Sequence, residues 1–187
     1  SHPLRHQQVA PSFIAVTPMQ ALTTLQTPGE RECFCRIPRI LIGGGAVSQQ
    51  LLAAVQACEG EVYSTYGMTE TLSHIALRRL NGPSAADAYT PLPDVSLSVD
   101  ESGRLLIHDP LTTLQPLLTN DRAELRPNGT FRILGRVDNV VCSGGLKLQL
   151  EELEERLAEL PCPFLLTAVP DPLLGEALTL LHEPTTT

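Results

Sequence analysis

Arg39-Ile40-Leu41-Ile42 runs without a break into Gly43-Gly44-Gly45-Ala46. Leu51, Leu52, Val55 and Cys58 then recur at helical spacing, and Glu61-Val62-Tyr63-Ser64-Thr65-Tyr66 follows as an apolar, β-branched and aromatic run. Strand, glycine turn, helix and strand in so short a span favour two parallel strands joined by a helical crossover, because a tight turn cannot return the chain to the same sheet end. In such sheets ligands gather where the strands end at their carboxyl side, which here means the glycines and the residues after Thr65. Ser48 is placed to cap a helix over 47–58. A further strand over 11–18, stopped by Pro18, leads into a helix over 19–25. The expected fold class is α/β.

The pattern changes at Asn81-Gly82-Pro83-Ser84. From there the apolar pieces are short and alternate with period two: 95–99, 104–108 and 130–134, separated by turn sequences such as Glu101-Ser102-Gly103 and Pro127-Asn128-Gly129. They predict a small β-rich subdomain over 81–137, closed as a distorted barrel. Beyond Asp138, Val140-Val141 and Leu146-Lys147-Leu148 flank Ser143-Gly144-Gly145 as a hairpin. A helix over 150–160 comes next, then strands over 164–170 and 177–181. The expected organisation is 1–80 (α/β), 81–137 (β-rich) and an incomplete small domain over 138–187.

Hydrophobic residues make up 42% of the chain and charged residues 18%, which supports a packed core and excludes global disorder. A net charge of −8 argues against nucleic acid or an anionic membrane as partner. No apolar run reaches the ~18–20 residues of a membrane span, and residues 1–8 lack the apolar centre of a signal peptide. Cys33, Cys35, Cys58, Cys142 and Cys162 follow no framework or zinc spacing, so free thiols and a cytoplasmic location are expected.

Tyr66-Gly67-Met68-Thr69-Glu70-Thr71 places an aromatic face, a glycine, a hydroxyl and a carboxylate within one turn. A ring can stack on a purine, and a carboxylate with phosphate oxygens suits Mg²⁺. Taken alone, these are equally core and cap residues at a turn. The segment resembles the signature of the acyl-adenylate-forming enzymes, the superfamily of acyl- and aryl-CoA ligases, luciferases and nonribosomal adenylation domains. Gly135-Arg136-Val137-Asp138 with Ser143-Gly144-Gly145-Leu146-Lys147 resembles a second signature of the same family, in the family's order. Within it, the run from Ser64 to Ala76 looks most like the o-succinylbenzoate–CoA ligases of menaquinone synthesis. The chain would then hold part of the family's large domain and part of its small mobile one.

The resemblance implies a division of labour. Tyr66 and Gly67 would meet adenine, with Gly44, Gly45 and Ala46 as its other wall. Thr69 would touch the α-phosphate and Glu70 would hold Mg²⁺. Asp121, in Leu117-Leu118-Thr119-Asn120-Asp121, would bind the ribose hydroxyls from a turn in which Asn120 replaces the family's glycine. Arg136 would reach the nucleotide, Asp138 would be the hinge of the small domain, and Ser143, Gly144 and Gly145 would face CoA. Thr71, Ser73 and His74 would lie near the acid. ATP, Mg²⁺, CoA and a small carboxylic acid are thus the implied cofactors and partners, with a homo-oligomer left open. The family's phosphate loop and its C-terminal catalytic lysine have no counterpart here, Lys147 being the only lysine. The chain is therefore expected to be a piece that forms no adenylate alone. A non-catalytic adenylate-binding module, or adenylation for a carrier protein, are the other readings.

Overall fold

The computed structural model describes residues 3–4, 11–112 and 115–182, so most of the segment 1–8 considered above lies outside the described residues. The chain divides into two compact units. The first comprises Ser1–Ser96, Ile107–Leu117 and Arg126–Arg132; the second comprises Leu97–Leu106, Leu118–Leu125 and Ile133–Thr187.

In the first unit, β1 (Phe13–Val16), β2 (Arg39–Ile42), β3 (Glu61–Gly67), β4 (His74–Arg79) and β5 (Thr90–Pro91) form one sheet in chain order. The first three strands are parallel, with Val16 opposite Ile42 and Ile42 opposite Ser64. That register brings the carboxyl ends of β1, β2 and β3 to one edge. β4 and β5 add in antiparallel fashion. Helix α1 (Pro18–Gln26) starts at a capping box: the Thr17 hydroxyl accepts from Gln20 N, and the Gln20 side chain accepts from Thr17 N. Ser48 caps α3 (Gln49–Ala54) by accepting from Leu51 N at 3.2 Å. This helix is shorter than 47–58, because Val55–Ala57 tightens into a 3₁₀ turn.

One helix was not expected. α2 (Pro28–Cys35) is mostly polar and contains Gly29, but Pro28 fits its first turn and Phe34 is fully buried. Phe34 joins Ile37, Ile40, Ile42, Leu51, Val55 and Val62 in a core built mainly of aliphatic side chains.

A second sheet takes β6 (Ser96–Val99), β7 (Arg104–His108), β8 (Leu117–Leu125) and β9 (Phe131–Arg136) in chain order. It is an open four-stranded sheet, which corrects the expected barrel. It also corrects the turn expected around Asn120, which lies inside β8 without a positive φ. The pattern of β8 was hard to read because a polar side chain points inward: Thr119 is buried and its hydroxyl donates to Leu105 O at 2.9 Å.

The remaining strands, β10 (Val140–Ser143), β11 (Leu146–Gln149), β12 (Phe164–Asp171) and β13 (Gly175–His182), form an antiparallel sheet in the order β11-β10-β13-β12. α4 (Leu150–Arg156) ends earlier than the predicted 160. Between β12 and β13, the Asp171 carboxylate accepts from Leu173 N and Leu174 N, both at 2.8 Å, and Gly175 completes the turn at φ +77°. Among the described residues no helix is long and apolar enough to cross a membrane.

Candidate functional site

Two of the motifs leave the same edge of the first unit's sheet. Gly43 follows β2 and donates its N–H to Val16 O at 3.0 Å. A Cβ on Gly43 would land on the Thr65 hydroxyl, so the glycine turn lies directly against the end of β3. Gly44 takes φ +81°, and Gly44, Gly45 and Ala46 are all exposed.

Past Tyr66 the chain makes a tight loop held by one hydroxyl. Thr71 is 2% exposed; its Oγ1 accepts from Met68 N at 3.0 Å and lies 2.7 Å from Ser73 O. Gly67 has no room for a side chain, since a Cβ would run into Ser73 O and His74 Cα. Leu72 adopts φ +59° and is 81% exposed. Thr69 and Glu70 consequently stand out in solvent on a 3₁₀ turn, and the Ser73 hydroxyl lies 3.2 Å from His74 Nδ1.

Tyr66 is fixed from behind by two rings that the sequence did not single out. Its centroid lies 5.4 Å from Phe131, edge to face at 77°, and 5.9 Å from Tyr89. Tyr89 and Phe131 are bridged through their backbones, Tyr89 N to Phe131 O at 2.7 Å and Phe131 N to Tyr89 O at 2.9 Å. The Tyr89 hydroxyl meets Ser64 Oγ at 2.8 Å, and the Arg78 guanidinium sits 5.2 Å above the Tyr89 ring. The only sequence signal for either ring is an isolated aromatic beside a turn, and nothing local says that the two will pair.

The strap leading to Tyr89 is pinned electrostatically. Asp87 accepts from Arg126 Nη1 at 2.8 Å, with Arg132 Nε at 3.9 Å. The Arg126 hydrogen bond pulls the Asp87 carboxyl from 3.8 down to about 2. A depressed native pKa stabilises the fold above the ordinary value, and that contribution disappears as pH falls through the native one. The Asp87 carboxyl carbon should therefore titrate near pH 2 by NMR, and Arg126→Met should move its midpoint toward 3.8. A wild-type midpoint already near the ordinary value would refute the pairing.

The second unit gathers the other predicted residues. Arg136, at the end of β9, donates from Nε to Asp138 Oδ1 at 2.8 Å and from Nη2 to Asp138 Oδ2 at 2.6 Å. Its Nη1 lies 3.5 Å from Asp121 Oδ1. Asp121 is held from β8, with its N–H donating to the Thr119 hydroxyl at 3.1 Å. The two-point contact with Arg136, and further the Asn120 side chain, keep the Asp138 carboxyl below the usual range; Asp138, then Asp121, raise Arg136 still further. Gln149 Nε2 donates to Arg136 O at 2.9 Å, and Arg136 N donates to Glu151 Oε1 at 3.2 Å. Gly135 fits beneath these side chains at φ +136°, where a Cβ would meet both Gln149 and Glu151. Ser143, Gly144 and Gly145 make a separate hairpin turn, with φ +56° and +86° at the glycines and Gly144 N donating to Leu174 O at 3.0 Å.

Solved proteins share this fold. No protein-family model matches the chain. An acyl-CoA synthetase (AMP-forming)/AMP-acid ligase II-like protein from Dyadobacter fermentans superposes on 100% of the chain and 55% of its own, with TM-score 0.69 and 35% sequence identity. The 2-succinylbenzoate–CoA ligase of Escherichia coli K12 is 30% identical over 149 residues, which is 70% of this chain and 32% of that protein. The chain is thus similar in sequence and fold to acid–CoA ligases. Its curated relatives include 2-succinylbenzoate–CoA ligases, as the motifs implied. The probable 2-succinylbenzoate–CoA ligase of Mycobacterium tuberculosis is 26% identical over 165 residues, 80% of this chain and 40% of that one. The E. coli MenE structure with bound OSB-AMS matches 98% of this chain and 43% of its own at TM-score 0.77 and 22% identity, a likeness of fold. The chain spans 32% to 40% of the length of the curated relatives just named.

Proposed function

We propose that the chain carries the nucleotide-binding elements of an ATP-dependent acid–CoA ligase whose acid is o-succinylbenzoate. The observation behind this reading is that, at one sheet edge, the bare Gly43 backbone lies against Thr65, from which the chain runs through Tyr66 into the loop that exposes Thr69 and Glu70. The E. coli relative's name, 2-succinylbenzoate–CoA ligase, supports the substrate, and a solved ATP-bound chimera of similar fold supports the nucleotide.

In this reading a carboxylate oxygen of the acid attacks the α-phosphorus of ATP and pyrophosphate leaves. The CoA thiol then attacks the acyl carbonyl, and AMP leaves. Tyr66 offers its face to adenine, with Phe131 and Tyr89 fixing the ring's tilt. Gly44, Gly45 and Ala46 let the base approach backbone on its other side. Thr69 donates to an α-phosphate oxygen. Glu70 is a lone carboxylate: among the described residues no three His, Cys, Asp or Glu side chains gather as a metal cluster. A single carboxylate fits Mg²⁺ when phosphate oxygens and water complete the shell, and the ion would offset charge on those oxygens. Thr71 builds the loop from beneath while Ser73 and His74 face the acid. Asp121 accepts from the ribose hydroxyls, and Arg136 aligns it. Asp138 serves as the hinge between 1–137 and 138–187, and the Ser143–Gly145 turn approaches the pantetheine chain of CoA.

The test is to incubate the full-length product of the gene with ATP, Mg²⁺, CoA and a panel of acids, with AMP and thioester read by mass spectrometry. An o-succinylbenzoyl thioester is expected. Tyr66→Ala should weaken ATP binding roughly 5- to 100-fold, the range expected for one lost base–aromatic stack, while Tyr66→Phe should stay near wild type. AMP with a different acid only would overturn the substrate, and nucleotide binding without AMP would leave a binding module.

A further inference from the structure

The sulfurs of Cys35 and Cys58 lie 3.1 Å apart, closer than two unbonded sulfurs usually rest, although the cysteines are 23 residues apart in sequence. Their backbones are also locked as neighbours. Cys35, the last residue of α2, accepts through its carbonyl from Glu59 N at 2.9 Å. The Cys58 carbonyl accepts from Asn81 Nδ2 at 3.0 Å, and Asn81 also takes Val62 N and reaches Gly60 O. The approach of the thiols is therefore set by the fold. Cys58 is 7% exposed and Cys35 is partly exposed, so a small reagent meets Cys35 first.

We propose that Cys35 and Cys58 are a redox-modification site, a pair that peroxides convert into a reversible disulfide. The Cys35 thiolate attacks one peroxide oxygen; the O–O bond breaks, leaving a sulfenic acid on Cys35 and an alcohol or water. The Cys58 sulfur then attacks the Cys35 sulfur, the S–O bond breaks, and water departs with the Cys58 proton. Two thiols and one peroxide thus become one disulfide, one water and one alcohol, or two waters where the peroxide is hydrogen peroxide, and a small dithiol reverses the change. Burial, with Cys35 beside it, pushes the Cys58 thiol well above its ordinary range, which suits it to the second step rather than the first. The sulfurs need to close by only ~1 Å to reach bonding distance. The bond would enclose β2, the glycine turn and α3 in one covalent loop, tying the wall that carries Gly44–Ala46 to the end of α2. This inference does not rest on the proposed activity, and its test reads chemistry rather than turnover.

The purified chain would be exposed to stoichiometric hydrogen peroxide, alkylated, digested and mapped by mass spectrometry. Because Cys33 and Cys35 share one tryptic peptide, the map is made in Cys33→Ser as well as in wild type. A Cys35–Cys58 linked peptide is expected in both, with a mass loss of about 2 Da and a melting temperature raised by about 5–10 °C, both reversed by dithiothreitol. Three results would overturn the proposal: Cys58 recovered fully alkylated after unfolding, Cys35 oxidised only to sulfinic acid, or a link that vanishes in Cys33→Ser. Cys58→Ala is a second check that should abolish the linked peptide, but the map in the Cys33→Ser chain decides the matter without it.

Discussion

Phe131→Ala should lower the melting temperature by on the order of 10 °C, since deleting a fully buried phenylalanine costs about 3–5 kcal/mol. The ring has no exposed surface and packs against both Tyr66 and Tyr89, so its removal leaves a cavity between two rings held by the backbone bridge of Tyr89 and Phe131. The loss should be visible in the tyrosine near-ultraviolet circular dichroism, because Tyr66 and Tyr89 are two of only three tyrosines in the chain. Phe131→Leu keeps most of the volume and should cost clearly less. An unchanged melting temperature in Phe131→Ala would mean that the three rings are not packed as described.

Gly67→Ala is expected to have the larger effect on function. Its Cβ would meet the Ser73 carbonyl and His74 Cα, and backbone cannot rotate aside as a long side chain can. Relief must come from shifting the loop that carries Thr69 and Glu70, at a cost of roughly 1–3 kcal/mol in stability. A displacement near 1 Å at a reacting group typically costs about 10²-fold in rate, so adenylate formation by the full-length product should fall by at least that much. Gly29→Ala provides the contrast. Nothing lies within 4 Å of its Cβ and it sits inside α2, so it should be neutral or stabilising by about 0.5–1 kcal/mol. Equal losses from the two substitutions would refute the role given to Gly67.

The parallel core and the paired strands β12 and β13 were legible because apolar runs, glycines and a proline mark their ends in the sequence itself. α2 escaped because its burial rests largely on Phe34, without the broad apolar stripe that makes a helix readable. β8 escaped because Thr119 faces inward and Asn120-Asp121 reads as a turn. The proposed nucleotide motif is contiguous from Tyr66 to Glu70 and so is visible in the sequence itself. Its support is not: Tyr89 and Phe131 reach Tyr66 through pairings between distant segments. The position of Thr71 was clear, but its hydrogen bonds inside the loop emerge only when that loop closes.

Leu72 gives the same loop a further property. A positive φ normally falls to glycine, and a leucine held in so sparsely populated a region costs on the order of 1–3 kcal/mol. Glycine would ease that strain but would let the unliganded loop wander among many shapes, each of which a ligand would have to select against. With a branched side chain at φ +59°, held by the Thr71 hydrogen bonds on one side and β4 on the other, most of those shapes are forbidden. In the proposed reading the loop would meet a nucleotide already ordered, and the entropy lost on binding would be correspondingly small.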